Sequence, residues 1–156
     1  MKKIALLTLS HVLAITFGFG LGIYALPILT APDGPANSEI KSLQGQARFR
    51  AEFRRDIKGS DVFHWGEGAV SLDAKTISLM GKLAPGPDYK LYLVPEFVDT
   101  RQGFLKVKAS ALRVGDITTF DNFVISLPEN VDIEKYNTVL VWCESFSMFI
   151  SAAKYR

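Results

Sequence analysis

Ala47-Arg-Phe-Arg-Ala-Glu-Phe-Arg54 is the stretch that decides the fold class of this chain. Ala47, Phe49, Ala51 and Phe53 alternate with Arg48, Arg50, Glu52 and Arg54. Successive side chains of a strand point to opposite faces, so this period puts the apolar set on a core and the charged set in water. Runs of similar strand character follow at Val62 to Leu72, Thr76 to Leu83, Tyr89 to Val94 and Leu105 to Ala109. Three more cover Ile117 to Phe120, Phe123 to Leu127 and Thr138 to Ile150. Turn-forming clusters separate them: Lys58-Gly-Ser60, Pro85-Gly-Pro-Asp88, Gly115-Asp116, Asp121-Asn122 and Pro128-Glu-Asn130. Helical character is confined to Ser38 to Gln46, with Ile40 and Leu43 on one side, and to a turn within Val131 to Tyr136. About seven to eight short strands with tight connections predict an all-β domain, an antiparallel sandwich or a small barrel.

The chain before this domain is of another kind. After Lys2 and Lys3, residues 4–31 contain one strongly polar side chain, His11. Ile4 to Leu29 makes about 39 Å of helix at 1.5 Å per residue, enough to span hydrocarbon with some tilt. A cleavable signal has a shorter apolar region, and Pro32 spoils the cut after Ala31. Residues 1–31 therefore read as an uncleaved transmembrane signal-anchor, and the two lysines place the N-terminus in the cytoplasm and the rest in the periplasm. Ser10, Ala14, Gly18 and Gly22 recur every four residues, a stripe that suits a homodimer through close helix contact. His11, with no carboxylate in the span, suits a neutral imidazole bonded to backbone.

Residues 32–46 read as a juxtamembrane linker and residues 47–156 as one extracytoplasmic β domain. All 16 acidic residues follow the anchor, and Lys2 and Lys3 account for the excess of the 18 basic ones. The outer domain is formally neutral, which argues against a nucleic-acid partner. Arg48, Arg50, Arg54 and Arg55 form a basic edge at its start, either solvated or facing anionic headgroups.

Candidate chemistry is sparse. No Cys-x-x-Cys-His sequence is present, which excludes c-type haem attachment. One Cys and one His after the anchor are too few for a structural zinc site. No nucleophile elbow or phosphate loop occurs, and no catalytic constellation is evident. What remains is His64 with Trp65, Asp88 in its turn, and Cys143 beside Trp142. A lone cysteine outside the cytosol is either a packed apolar filler or a thiol kept for its chemistry. On strict alternation Cys143 shares a face with Val139 and Val141, opposite Leu140 and Trp142. His64 is either a hydrogen-bonded rim residue or a partner for the thiol, and Met80 and Met148 are packing residues or thioether ligands. Asp88 suits a bond to its own turn.

Three short motifs in order carry a resemblance. They are His64 followed by Gly68-Ala-Val70, the turn Gly86-Pro87-Asp88, and Trp142-Cys143-Glu-Ser-Phe146. From about Ala47 to Arg156 the chain resembles the electron-transfer DM-thirteen domain family, in a single-domain, membrane-anchored bacterial form without an attached DOMON domain. The resemblance implies a small all-β redox module whose C-terminal cysteine, here Cys143, is the redox or ligand residue. Read from the residues, a His64 strand adjacent to Cys143 gives a Cys–His pair suited to haem (not c-type) or metal ligation or to thiol chemistry, with the cofactor left open and an unidentified redox or envelope protein as partner. A different class stands beside it: a non-catalytic envelope binding or scaffold module with a structurally buried cysteine.

Overall fold

The structure is a computed structural model describing residues 1–156. An N-terminal helix, α1 (Lys2–Thr30), is followed by a second, α2 (Asn37–Gln46). Eight strands come next: β1 (Phe49–Phe53), β2 (Gly66–Leu72), β3 (Thr76–Leu83), β4 (Tyr89–Val94), β5 (Leu112–Ile117), β6 (Phe123–Ser126), β7 (Thr138–Cys143) and β8 (Met148–Lys154). A short helix, α3 (Arg101–Val107), joins β4 to β5. All pairings are antiparallel, in two four-stranded sheets of order β1-β2-β3-β6 and β5-β4-β7-β8. The two sheets face each other as a sandwich, with β1 over β8 and β6 over β5 at the margins.

The alternating residues of β1 behave as their period requires, with Phe53 buried and the arginines outside. The space between the sheets is filled by residues such as Val70, Leu79, Leu91, Leu93, Val139 and Val141. β7 is buried on both faces along its whole length. Its second face, Leu140 and Trp142, packs with Tyr92, Phe149 and the Phe104 side chain of α3 in a smaller core outside the sheet. That second core explains why the run from Thr138 is continuously apolar rather than alternating.

Several boundaries differ from those expected. Residues 105–109 are helix and 3-10 turn, not strand. Thr100 caps α3 by accepting from Gly103 N–H (3.1 Å), and Phe104 is the residue that the helix buries. The segment from Val62 becomes strand only at Gly66, because the Asp61 carboxylate accepts from the Phe63 and His64 amides (2.7 and 2.8 Å) and closes a turn. Residues 138–150 are two strands folded at Glu144–Ser147, with Ser147 at φ 49°. Gly115, expected as a breaker, lies inside β5, where a Cβ would come within 2.7 Å of Ile125. The strand is Leu112–Ile117, so it ends where the expected one, Ile117 to Phe120, was to begin.

α1 is long and apolar enough to cross a membrane, and none of its residues is buried. His11 bonds through Nδ1 to the Leu7 carbonyl (2.8 Å). Gly18 and Gly22, on the small-residue stripe, have open space around them. Pro27 lies within the helix and lacks a donor for the Ile23 carbonyl. The helical stretch expected after residue 38 is α2, which buries Ile40 completely. It leads the chain from the α1 end of the sandwich, where Asn37 Oδ1 accepts from Asn122, to the opposite end, where β1 begins.

Candidate functional site

β4 and β7 pair so that Tyr89 faces Cys143, and β8 places Met148 on the other side of the same cysteine. Cys143 closes the core between the sheets at the end nearest α1. A cavity of 270 Å³ opens beside it, walled by His64, Pro87, Tyr89, Phe146 and Met148. Residues Gly20, Ile23 and Tyr24 of α1 complete its rim.

The parts of this wall are held by local chemistry. His64 ends the four-residue turn begun by Asp61, whose backbone N–H donates to the His64 carbonyl (2.9 Å). The Asp61 carboxylate also meets His64 Nδ1 (2.9 Å), which leaves Nε2 free for the pocket. Burial pushes the Asp61 carboxyl up, but its bonds from the His64 ring and from the Phe63 and His64 amides hold it below its ordinary value. Gly86 accommodates the Tyr89 ring, since a Cβ there would lie 2.4 Å from the phenol oxygen. Burial raises the Tyr89 hydroxyl far above its usual range, so it is a neutral donor. Trp65 sits outside the pocket wall under the Arg55 guanidinium (3.3 Å to the ring centroid), and Arg55 is held bidentately by Glu67 (2.7 and 2.9 Å).

Asp88 departs from its expected role. Its carboxylate does not close its own turn; it binds the Lys90 ammonium (2.7 Å) and accepts from the Ser145 hydroxyl (2.9 Å). With the Asp88 carbonyl accepting from Glu144 N–H (3.0 Å), it ties the Gly86-Pro87-Asp88 turn to the β7–β8 hairpin. The basic edge is also not a free cationic surface. Arg48, Arg54 and Arg55 pair with Glu134, Asp56 and Glu67, and Arg50 donates to the Gln44 carbonyl (2.8 Å).

The three motifs separated in sequence thus meet at one place: His64 from the first, Gly86 and Pro87 from the second, Cys143 and Phe146 from the third. A family model described as electron transfer DM13 matches residues 52–155. The chain belongs to the electron transfer DM13 family. No curated protein and no solved structure matches it.

Cys143, the one cysteine of this DM13 chain, is 2% exposed. Burial pushes its thiol up, and bonds from the Phe146 and Ser145 amides offset this only in part. No cation is among the causes acting on the thiol, so at neutral pH it is protonated. Cys143 and His64 supply two donors, and nowhere do three His, Cys, Asp or Glu groups cluster as a metal site. The residues present therefore do not fit a protein-held metal ion. Met148 reaches the cavity, whereas Met80 lies on the other side of β3, beside Asn122.

A polar group behind Trp142 had no signal in the sequence. Glu144 accepts from the Tyr92 hydroxyl and from Lys108 Nζ (2.6 Å), and Lys108 lies 5.4 Å from the Trp142 ring centroid. Burial raises the Glu144 carboxyl, but these two donors outweigh it and hold the group below its ordinary value. Only the α3 crossover brings Lys108 to this place, and no local pattern announces that.

Proposed function

We propose that this chain is a membrane-anchored, extracytoplasmic redox module in which Cys143 is the redox-active group and His64 serves it. The observation that carries this reading is the convergence of the three sequence motifs, all within the DM13 match, on one apolar cavity holding both residues. α1 supplies the anchor, and Lys2 and Lys3 keep its start on the cytoplasmic side. The chemistry open to a single thiol is exchange with a disulfide. His64 Nε2 takes the thiol proton, the Cys143 sulfur attacks one sulfur of the partner disulfide, and the second leaves as a thiolate. That thiolate takes the proton from His64, and Cys143 is left in a mixed disulfide with its partner. The apolar wall and the high thiol value keep Cys143 silent until a small or inserted group enters the cavity.

The test uses the full chain in vesicles with 2-hydroxyethyl disulfide, a small neutral oxidant. A mixed disulfide on Cys143, formed more slowly in His64→Ala, is the expected result, and the purified protein shows no Soret band. A folded chain that forms no adduct, with wild type and His64→Ala alike, overturns the redox reading. One observation favours a second reading, the scaffold module: the thiol is packed in the main core like any small apolar side chain. In that case partner binding survives Cys143→Ala and no exchange occurs.

A further inference from the structure

After α1, large apolar side chains are exposed at only five places, and the three most exposed are Val62 (84%), Phe63 (65%) and Phe146 (52%). Single exposed apolar residues are ordinary on a protein surface, but these three share one end of the sandwich. Val62 and Phe63 occupy the two corners of the turn from Asp61 to His64, positions where turns usually carry polar residues. The turn is braced: the Asp61 side chain holds both following amides and the His64 ring. It presents the two apolar side chains outward and cannot fold them under. Phe146 stands at the tip of the β7–β8 hairpin in the same way.

The level of these tips along α1 identifies what covers them. A hydrocarbon core about 30 Å thick takes about 20 residues of helix, so one entered at Ile4 ends near Ile23. Phe63 and Phe146 line the same cavity as Gly20, Ile23 and Tyr24. Later residues of the helix, Pro27 and Thr30, lie beside Pro87, Asp116 and Thr118, so the rest of that end of the sandwich is farther from the bilayer. Tyr24 is the amphipathic side chain that suits the headgroup level. Cations accompany the tips: Lys58 belongs to the same loop as Val62, and Arg101 donates to the Ser147 carbonyl next to Phe146 (2.7 Å).

We propose that the Asp61–His64 turn and the Phe146 hairpin tip seat the β domain on the lipid leaflet from which α1 emerges. The Val62, Phe63 and Phe146 side chains enter the headgroup–acyl boundary, and the cavity beside Cys143 opens towards lipid rather than bulk water. This rests on the anchoring part of the function proposed above.

The test places the photoreactive residue p-benzoylphenylalanine in the full chain at Phe17, Phe63 or Ala74, one at a time. Ala74 sits in the β2–β3 turn, at the far end of the sandwich. Each protein is reconstituted in phosphatidylethanolamine–phosphatidylglycerol vesicles, irradiated and weighed by mass spectrometry. Lipid adducts at positions 17 and 63 and none at 74 are expected. An adduct at 17 without one at 63 overturns the seating while leaving the anchor intact. No adduct at 17 overturns the anchor reading and this proposal with it. Equal adducts at 63 and 74, or cross-links from 63 to a second copy of the chain, also overturn it. Phe63 is exposed, so the substitution leaves the core untouched.

Discussion

Cys143 is where packing and chemistry compete most directly. Its face was legible from the alternation of β7: Val139, Val141 and Cys143 point between the sheets, while Leu140 and Trp142 point to the second core. A serine hydroxyl in that place, with no partner, costs about 1–3 kcal/mol. Denaturant titration of Cys143→Ser should show such a loss, and Cys143→Ala a smaller one of about 1 kcal/mol from the small void. Asp88 shows the limit of local reading. The turn motif predicts a carboxylate that serves its own backbone, but Lys90 and Ser145 come within reach only after β4 and β7 have paired. Glu144 makes a further prediction at this scale. Its folded carboxyl is held below the ordinary value of 4.5, so the stability it contributes is present above that value and is lost as pH falls through the folded one. Glu144→Gln should flatten the fall in stability below about pH 4.5, measured by thermal melts across the acid range.

Among the elements, the strands announced themselves and the crossover did not. Period-two alternation marked β1, turn residues bracketed β6, and the Pro85–Asp88 cluster separated β3 from β4, all at close to their observed limits. The end of α3 and the 3-10 turn after it were misread because the run Leu105 to Ala109, five residues long, is too short to distinguish a helix from a strand by composition; the cap at Thr100 was the signal available. The break in the long run after Thr138 was hidden for a different reason. Glu144-Ser-Phe-Ser147 contains neither Gly nor Pro, and Ser147 takes the left-handed conformation that usually calls for glycine. At Gly68 the requirement is explicit. Its φ is 125° and a Cβ would lie 2.3 Å from the Met80 carbonyl oxygen, where β2 and β3 bring Gly68 opposite Gly81. Gly68→Ala should therefore destabilise the domain by about 1–3 kcal/mol or disrupt the β2–β3 pairing, as read by denaturation and by circular dichroism. This glycine belongs to the first DM13 motif, and a backbone need accounts for it without any role in redox chemistry.

At the scale of the whole molecule, the two sheets and α1 together form what no single motif contains. The sequence made the sandwich and the apolar helix legible, since both arise from periodicity and length. The convergence of His64 with Cys143 was not, because it requires the β1–β2 loop, the β3–β4 turn and the β7–β8 hairpin to meet at one end. That end is also where the helix joins, and its residues Gly20, Ile23 and Tyr24 line the cavity beside the thiol. Reactivity of Cys143 in the folded, vesicle-bound chain tests this most directly, using N-ethylmaleimide as a small neutral reagent and dithionitrobenzoate as a charged one. Modification by the maleimide in the folded chain, with the charged reagent reacting only after unfolding, is the predicted result. A thiol that resists both reagents until the domain unfolds would contradict the account and leave Cys143 as a packing residue.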